Sequence, residues 1–350
     1  MANVERSGKA ATIREVAAAA GVSTGTVSRV AAGSSRISEP TRARVLEAMR
    51  SMAYQPNAAA RAMRTNVTRT IGLLIPDMTC PIFVQVAVGV EEVLSSRGYM
   101  LFTFSSNRQA GREVEFLNAA RQRQMDGLIV SVADETSRDT VRELGAMQVP
   151  IVVLDRDLPL AADVVLNEHY GAMLTLLDHL VSLGHRRIGL ICAAETVRPG
   201  RERVRAYHAA LAKAGIAFDP WLLRAKGQGD AFGAIEAHDL LGGPSPPTAL
   251  IAAGSDTFYG ALRAIRSAGL DIPRDISFAG ADNGLVGEII GPAITMIERD
   301  MREAGRRAAA LLLERFATPH LPQRRLMLSS QVVLRHSVAR ILQPARLQDA

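Results

Sequence analysis

Two groups of residues in this 350-residue chain have the types and spacing for recognition chemistry. The first lies in "STGTVSR", residues 23–29, where Thr24, Gly25, Ser28 and Arg29 share one side of a short helix and Val27 and Val30 the other. Small polar side chains let a helix backbone approach the major groove of DNA, and an arginine there reaches guanine or phosphate. The second group stands at the ends of apolar runs. Arg203 lies in "RPGRERVRAY", and a guanidinium fork holds a carboxylate or a pair of hydroxyls in fixed orientation. Asp282 directly follows the strand-like "ISFAGA", so its carboxylate should face a cleft beyond the sheet and accept hydrogen bonds there. Competing readings are a solvated basic face for Arg203, which has Arg198, Arg201 and Arg205 around it, and a helix N-cap for Asp282. His169, His179, His185 and His208 show neither metal-ligand spacing nor a triad with a poised nucleophile. "GQGDAFG", residues 227–233, has GxGxxxG spacing but no strong strand before it, which a phosphate-binding turn needs. The expectation is a binding protein rather than an enzyme, with no metal or cofactor.

The elements that must position these residues are legible nearby. Thr12 and Glu15 form a T-x-x-E capping box that starts a helix near Ile13. Ile13, Val16, Ala17 and Ala20 share its inner face, and Gly21 ends it. Ser23 is an N-cap for the helix from Thr24 to about Val30. Together these make a helix-turn-helix. Ser38 caps a third helix with Pro40 in its first turn and Val45, Leu46 and Met49 on its apolar face. Pro56 stops it, and residues 57–64 make a hinge helix too short to be stable without a partner. From Ile71 the pattern changes to short apolar runs alternating with amphipathic helices, as far as a long helix ending near Phe316. Continuous apolar strands between helices mean parallel sheets covered on both faces. Two such series predict two doubly wound α/β subdomains whose strand ends line a shared cleft.

Bulk properties agree. Hydrophobic residues make up 48% of the chain and charged residues 22%, which suits two or three domains with real cores. The net charge is +6, but residues 1–69 hold 11 basic against 4 acidic side chains, leaving the remainder at −1. A basic first fifth on a near-neutral body is the footprint of a nucleic-acid-binding arm or, more plainly, of a solvated tail. The two cysteines, Cys80 and Cys192, lack CxxC spacing and suit a reducing cytosol. No apolar run approaches a membrane span, and no apolar signal region follows Met1. The expected location is cytoplasmic.

The stretches "TIREVAAAAGVSTGTVSRV" and "ISEPTRARVLEAMRSMAYQPNAAARAM" closely resemble the LacI/GalR family of bacterial transcriptional regulators. The resemblance continues through "IGLLIPD", "LVSLGHRRIGLI", "RERVRAYHAAL" and "GALRAIRSAGLDIPRDISFAGAD", covering nearly the whole chain. It implies an all-α helix-turn-helix headpiece, a periplasmic-binding-protein-like core, a homodimer, a near-palindromic double-stranded DNA operator, and a small-molecule effector such as a sugar or nucleobase. By position, Thr24, Gly25 and Arg29 match base-reading residues, and Ser28 and Asn57 match residues that fix register on the DNA backbone. Met63 stands where the family inserts a hinge leucine into the minor groove, with the small Ala60 beside it. Thr12, Ser23 and Thr26 complete the candidate DNA-contacting set. Arg203 and Asp282 match effector-contacting positions. Asp155, after "PIVVL", matches a residue near the pocket, its alternative being a salt bridge to Arg156. Ser255 falls where many relatives carry part of an Asn-Asp pair, and Phe83 either stacks on a ligand ring or packs in the core.

The implied boundaries are a headpiece over 1–56, a hinge and linker over 57–69, a core of two interleaved subdomains over 70–340, and a tail over 341–350. The tail lacks the heptads of a tetramerising coiled coil, so a dimer is expected. A transport-system binding protein would share the core but not residues 1–64. The expected mechanism is a population shift, in which an effector changes subdomain closure and thereby operator affinity.

Overall fold

The computed structural model describes residues 11–31, 34–55, 67–282 and 284–341. Asn57, Ala60, Met63 and the tail from residue 342 lie outside them. The chain divides into two compact units, Met1–Thr68 and Arg69–Ala350.

The first unit holds α1 (Ile13–Ala20), α2 (Thr24–Ala31) and α3 (Glu39–Ser51). The capping box is formed: the Thr12 N–H donates to Glu15 at 2.7 Å, and the Glu15 N–H donates to the Thr12 hydroxyl at 3.4 Å. Gly21 takes the left-handed conformation, φ 63°, that turns the chain from α1 into α2. Ser23 accepts from the Thr26 N–H at 3.2 Å and so orders the first turn of α2. Pro40 lies in the first turn of α3, where a missing N–H is harmless. Ser38 makes no hydrogen bond to a helix N–H, its hydroxyl donating instead to Thr41 Oγ1 at 3.0 Å. Val16, Ala17, Ala20, Val27, Val30, Val45, Ala48 and Met49 form the core. Leu46, expected in that core, is 41% exposed, because the buried stripe of α3 runs through Val45, Ala48 and Met49.

The second unit carries two six-stranded sheets. Its first half runs β1 (Thr70–Ile75), α4 (Pro81–Ser95), β2 (Met100–Ser105), α5 (Ala110–Gln122), β3 (Gly127–Val130), α6 (Arg138–Gly145), β4 (Ile151–Leu154) and β5 (Asp163–Asn167). The second half runs α7 (Tyr170–Ser182), β6 (Ile188–Cys192), α8 (Arg198–Lys213), β7 (Leu223–Arg224), α9 (Asp230–Gly242), β8 (Ala249–Ala253), α10 (Ser255–Ser267), β9 (Ser277–Ala281), α11 (Gly284–Ile289) and β10 (Thr295–Glu298). Then α12 (Met301–Ala317) and β11 (Arg325–Leu328) return to the first sheet, and β12 (Gln331–Val333) to the second. The chain therefore crosses between sheets three times.

The orders are β2-β1-β3-β4-β5-β11 and β7-β6-β8-β9-β10-β12, the same winding twice. All pairings are parallel except β12, which runs antiparallel to β10. Ile71–Ile75, Gly127–Val130, Ile188–Cys192 and Ala249–Ala253 are buried along their lengths, as strands covered on both faces must be. The edge strands β11 and β12 were not anticipated from sequence, since "RLML" and "QVV" are short, half-exposed and carry no continuous apolar run. Helix α12 seats on α4 by backbone contact: a Cβ at Gly89 would fall 2.0 Å from the Arg302 carbonyl, and one at Gly305 would fall 2.3 Å from that of Val86.

Candidate DNA-reading helix and effector cleft

On α2, Val27 and Val30 are buried while Thr24, Gly25 and Arg29 are exposed and Ser28 is half-buried. Helical spacing thus separates a packing face from a small polar one. Thr12, Ser23 and Thr26 are held in caps: Thr12 at the start of α1, Ser23 and Thr26 at the start of α2, their hydroxyls 3.0 Å apart. Arg29 folds along its own helix, its Nε donating to the Gly25 carbonyl at 3.2 Å.

In the second unit, doubly wound sheets bind ligands beyond the carboxyl ends of their strands, where strand order reverses. Those points are β1/β3 in one sheet and β6/β8 in the other, and a cleft lies there. Its walls bring together Phe83, Asp155, Arg203, Ser255 and Asp282. Phe83 also packs into the core beside Val86 and Val90, so it serves both surfaces. Ser255 opens α10 and is 1% exposed.

The two aspartates are structural counterparts. Each follows the fourth strand of its half, β4 or β9, and each has a left-handed backbone, φ 54° at Asp155 and 75° at Asp282. Such strain in a non-glycine residue persists only where the surroundings fix it, and it clusters at functional sites. Both carboxylates meet one residue that sequence reasoning missed. Arg299, just past β10, donates from Nε to Asp282 at 2.6 Å and from Nη1 to Asp155 at 3.1 Å. Its place at a strand end, in "ITMIERD", is the same signal that singled out Asp282. Arg203 donates to the Ala253 carbonyl at 2.8 Å and to Asp282 at 3.3 Å. The solvated face does not describe Arg203, which is 4% exposed, and Asp282 is held by two guanidinium groups.

Asp155 does not pair its carboxylate with Arg156. That carboxylate takes His169 Nε2 at 3.0 Å and the Asn167 N–H at 3.1 Å, whereas Arg156 donates to the Asp155 main-chain carbonyl at 2.8 Å. Burial alone would raise the Asp155 carboxyl, but His169 and Arg299 hold it well below the usual range. Burial raises Asp282 likewise, and Arg299 and Arg203 outweigh it, so both aspartates are ionised. Burial, aided by Arg299 and opposed by Asp155, pushes His169 down to about 4. The ring is therefore neutral near pH 7 and donates from Nε2 to Asp155. A depressed histidine stabilises the fold fully above its unfolded value near 6.5, and the contribution fades as pH falls toward 4. Between those limits wild-type thermal stability should drop by up to about 1.4 kcal/mol per pH unit. His169→Gln should flatten that dependence, and parallel slopes for the two proteins would contradict the assignment.

More ion pairs cross the cleft. Arg108 bridges Asp77 and Asp256, Arg201 meets Glu135 at 2.5 Å, and Arg198 meets Asp157 at 3.4 Å. The enclosed space is about 60 Å³, room for a few waters and well below the roughly 300 Å³ at which small-molecule sites begin. An adjoining space of about 570 Å³ shares Ile82, Asp282, Arg299 and Met301 with it. Cys80 and Cys192 are buried free thiols, each pushed up to about 12 by burial. Among the described residues no cluster of three or more His, Cys, Asp or Glu is placed to hold a metal, and no helix is long and apolar enough to cross a membrane.

Residues 12–57 match the model of bacterial regulatory proteins of the lacI family, and residues 177–338 match a periplasmic binding protein-like domain. The chain is 30% identical to the HTH-type transcriptional regulator DegA of Bacillus subtilis (strain 168), over 94% of this chain and 98% of that protein. It is 33% identical to the ribose operon repressor of Haemophilus influenzae, with the same coverages. Among solved structures, the lac repressor dimer bound to operator and the anti-inducer ONPF aligns with a TM-score of 0.83 at 25% identity, over 95% of this chain and all of that one. The CelR–cellobiose complex aligns at 0.71 and 27% identity, over 93% and 99%. The chain belongs to the lacI family of bacterial regulatory proteins. It is a DNA-binding transcriptional regulator, in a family of regulators rather than enzymes.

Proposed function

We propose that this protein is a cytoplasmic, homodimeric repressor whose operator affinity is set by a small polar effector bound between the two sheets of its core. The carrying observation is Arg299 tying Asp155, past β4 of one sheet, to Asp282, past β9 of the other, one strand from each strand-order reversal. A ligand that replaces or reinforces that link has different free energies in the closed and open arrangements, which is what an allosteric effector requires. With about 60 Å³ enclosed, a sugar-sized ligand enters only when the subdomains part or Arg299 moves toward the adjoining space. Phe83, Asp155, Arg203, Ser255 and Asp282 are the proposed contacts. The relatives supply the comparison: one is solved with cellobiose, another with ribose, and a third as a dimer on its operator.

In the headpiece, Thr24 and Arg29 read base edges, Gly25 at a base-reading position lets the helix approach the groove, Ser28 and Asn57 set register on phosphates, and Thr12, Ser23 and Thr26 complete the contacting set. Ala60 and Met63 belong to a hinge over 57–69 that meets the minor groove. Two headpieces require a dimer. Its core face is supplied by Val84 and Val88 on α4 and by Met100 and Phe102 on the edge strand β2, all at least 40% exposed. Arg29→Ala should lower operator affinity about 10–100-fold and leave the melting temperature within about one degree of wild type, since the Arg29 side chain is exposed and, among the described residues, bonds its own helix alone. Fluorescence anisotropy on a labelled operator alongside a thermal melt makes the check. Unchanged affinity would remove Arg29 from the reading set.

A further inference from the structure

Among the described residues, the cleft holds one arginine that no carboxylate meets at ion-pair distance. Of its lining residues, four are arginines and three are aspartates. Each aspartate already carries an arginine: Asp155 and Asp282 through Arg299, and Asp256 through Arg108. Arg156 is the exception. It is 5% exposed, its Nε donates to the Val132 carbonyl at 2.6 Å, and its Nη1 donates to the Asp155 carbonyl at 2.8 Å. Among the described residues, no carboxylate lies within ion-pair distance of it, and its Nη2 makes no hydrogen bond. Asp155, Glu135 and Glu113 offset its charge only from beyond contact, and burial outweighs them; arginine does not escape that cost by losing its proton.

Two further polar groups in the same walls are unpaired. Ser131 Oγ, just past β3, is fully buried and has no hydrogen-bond partner among the described residues. It precedes Val132, whose carbonyl holds Arg156, and β3 pairs with β4, so Ser131 and Arg156 stand side by side at the end of the first sheet. Thr257 Oγ1 faces the cleft from α10 on the opposite side, 1% exposed and also without a partner. Native structures leave few buried polar groups unpaired, and these three line one cavity.

We propose that the effector bears an oxyanion, carboxylate or phosphate, on a hydroxylated carbon skeleton, with the anion held by Arg156 Nη2 and Ser131 Oγ and a hydroxyl held by Thr257. This rests on the cleft being the effector site, and it narrows the ligand from polar to acidic. A neutral sugar leaves Arg156 without a counter-charge in contact; a sugar acid or sugar phosphate brings one.

The test uses the full chain and two matched probe series: glycerol, glycerate and glycerol 3-phosphate, then sorbitol, gluconate and sorbitol 6-phosphate. Thermal unfolding is titrated with each at constant ionic strength, for wild type, Arg156→Gln and Arg156→Lys. The expected result is a saturable rise in melting temperature with at least one acid or phosphate, binding about 10–100-fold tighter than its neutral polyol. Arg156→Gln should reduce that probe to the level of the polyol, and Arg156→Lys should keep part of the preference, which a misfolded variant would not do. Glycerate and gluconate against the two phosphates tell which oxyanion the site takes. The proposal is overturned if a polyol binds as tightly as its acid, if Arg156→Gln leaves acid binding unchanged, or if no anion gives a saturable shift. The effector-site reading fails on a different result, namely that Arg203→Ala leaves metabolite control of operator binding intact.

Discussion

Arg299→Met should lower the unfolding free energy of the core by about 3–5 kcal/mol, the range for breaking a buried ion pair from one side. The side chains of Arg299 and Asp282 are each 2% exposed and that of Asp155 is 8% exposed, so water does little to replace the lost guanidinium. Two ionised carboxylates would then share a closed cleft. Arg203 still touches Asp282, and Arg198 lies 3.7 Å from Asp155, so the variant should remain foldable. Adding Asp282→Asn to Arg299→Met should recover part of the loss by removing one orphaned charge. Arg299→Lys should recover less than the wild-type value, because an ammonium does not span both carboxylates as a planar fork does. Urea unfolding followed by circular dichroism reads all three. A loss below about 1 kcal/mol would mean that the link behaves as a solvated surface pair.

The second large effect concerns control rather than stability. Arg203→Ala should abolish the response of operator binding to effector, a coupling that runs about 5–150-fold in allosteric proteins, while ligand-free operator affinity stays near wild type. Arg203 holds the Ala253 carbonyl and Asp282, at the ends of two strands of the second sheet, so its removal changes the proposed ligand site without cutting a link between the sheets. Anisotropy with and without a metabolite extract separates the outcomes. Loss of operator binding itself would make Arg203 a structural residue.

Much of the fold is local and so legible. A T-x-x-E box, a glycine at the turn and a serine cap each act within four residues, and all three sit where sequence placed them. The βα alternation is equally direct, because strands covered on both faces are apolar throughout. What sequence missed depends on distant partners. Asp155 stands next to Arg156 in the chain, which suggests a pair, yet its left-handed backbone turns the carboxylate toward His169 and Arg299, 14 and 144 residues away. Arg299 ends the run "ITMIERD", legible as a strand, but nothing local says that it reaches two sheets. The exposure of Leu46 follows from the roll of α3 about its axis, a packing choice that a run of apolar letters leaves open. Strands β11 and β12 owe their pairing to sheets already built, not to their own composition.

Selection of bound duplexes from a random DNA pool by the purified full chain, in moderate salt, shows whether a dimer reads DNA through α2. The expected product is a near-palindrome of two half-sites, with a flexible pyrimidine–purine step at its centre, and Arg29→Ala should lose the half-site consensus. Enrichment of no shared motif, with or without added metabolite extract, would contradict it.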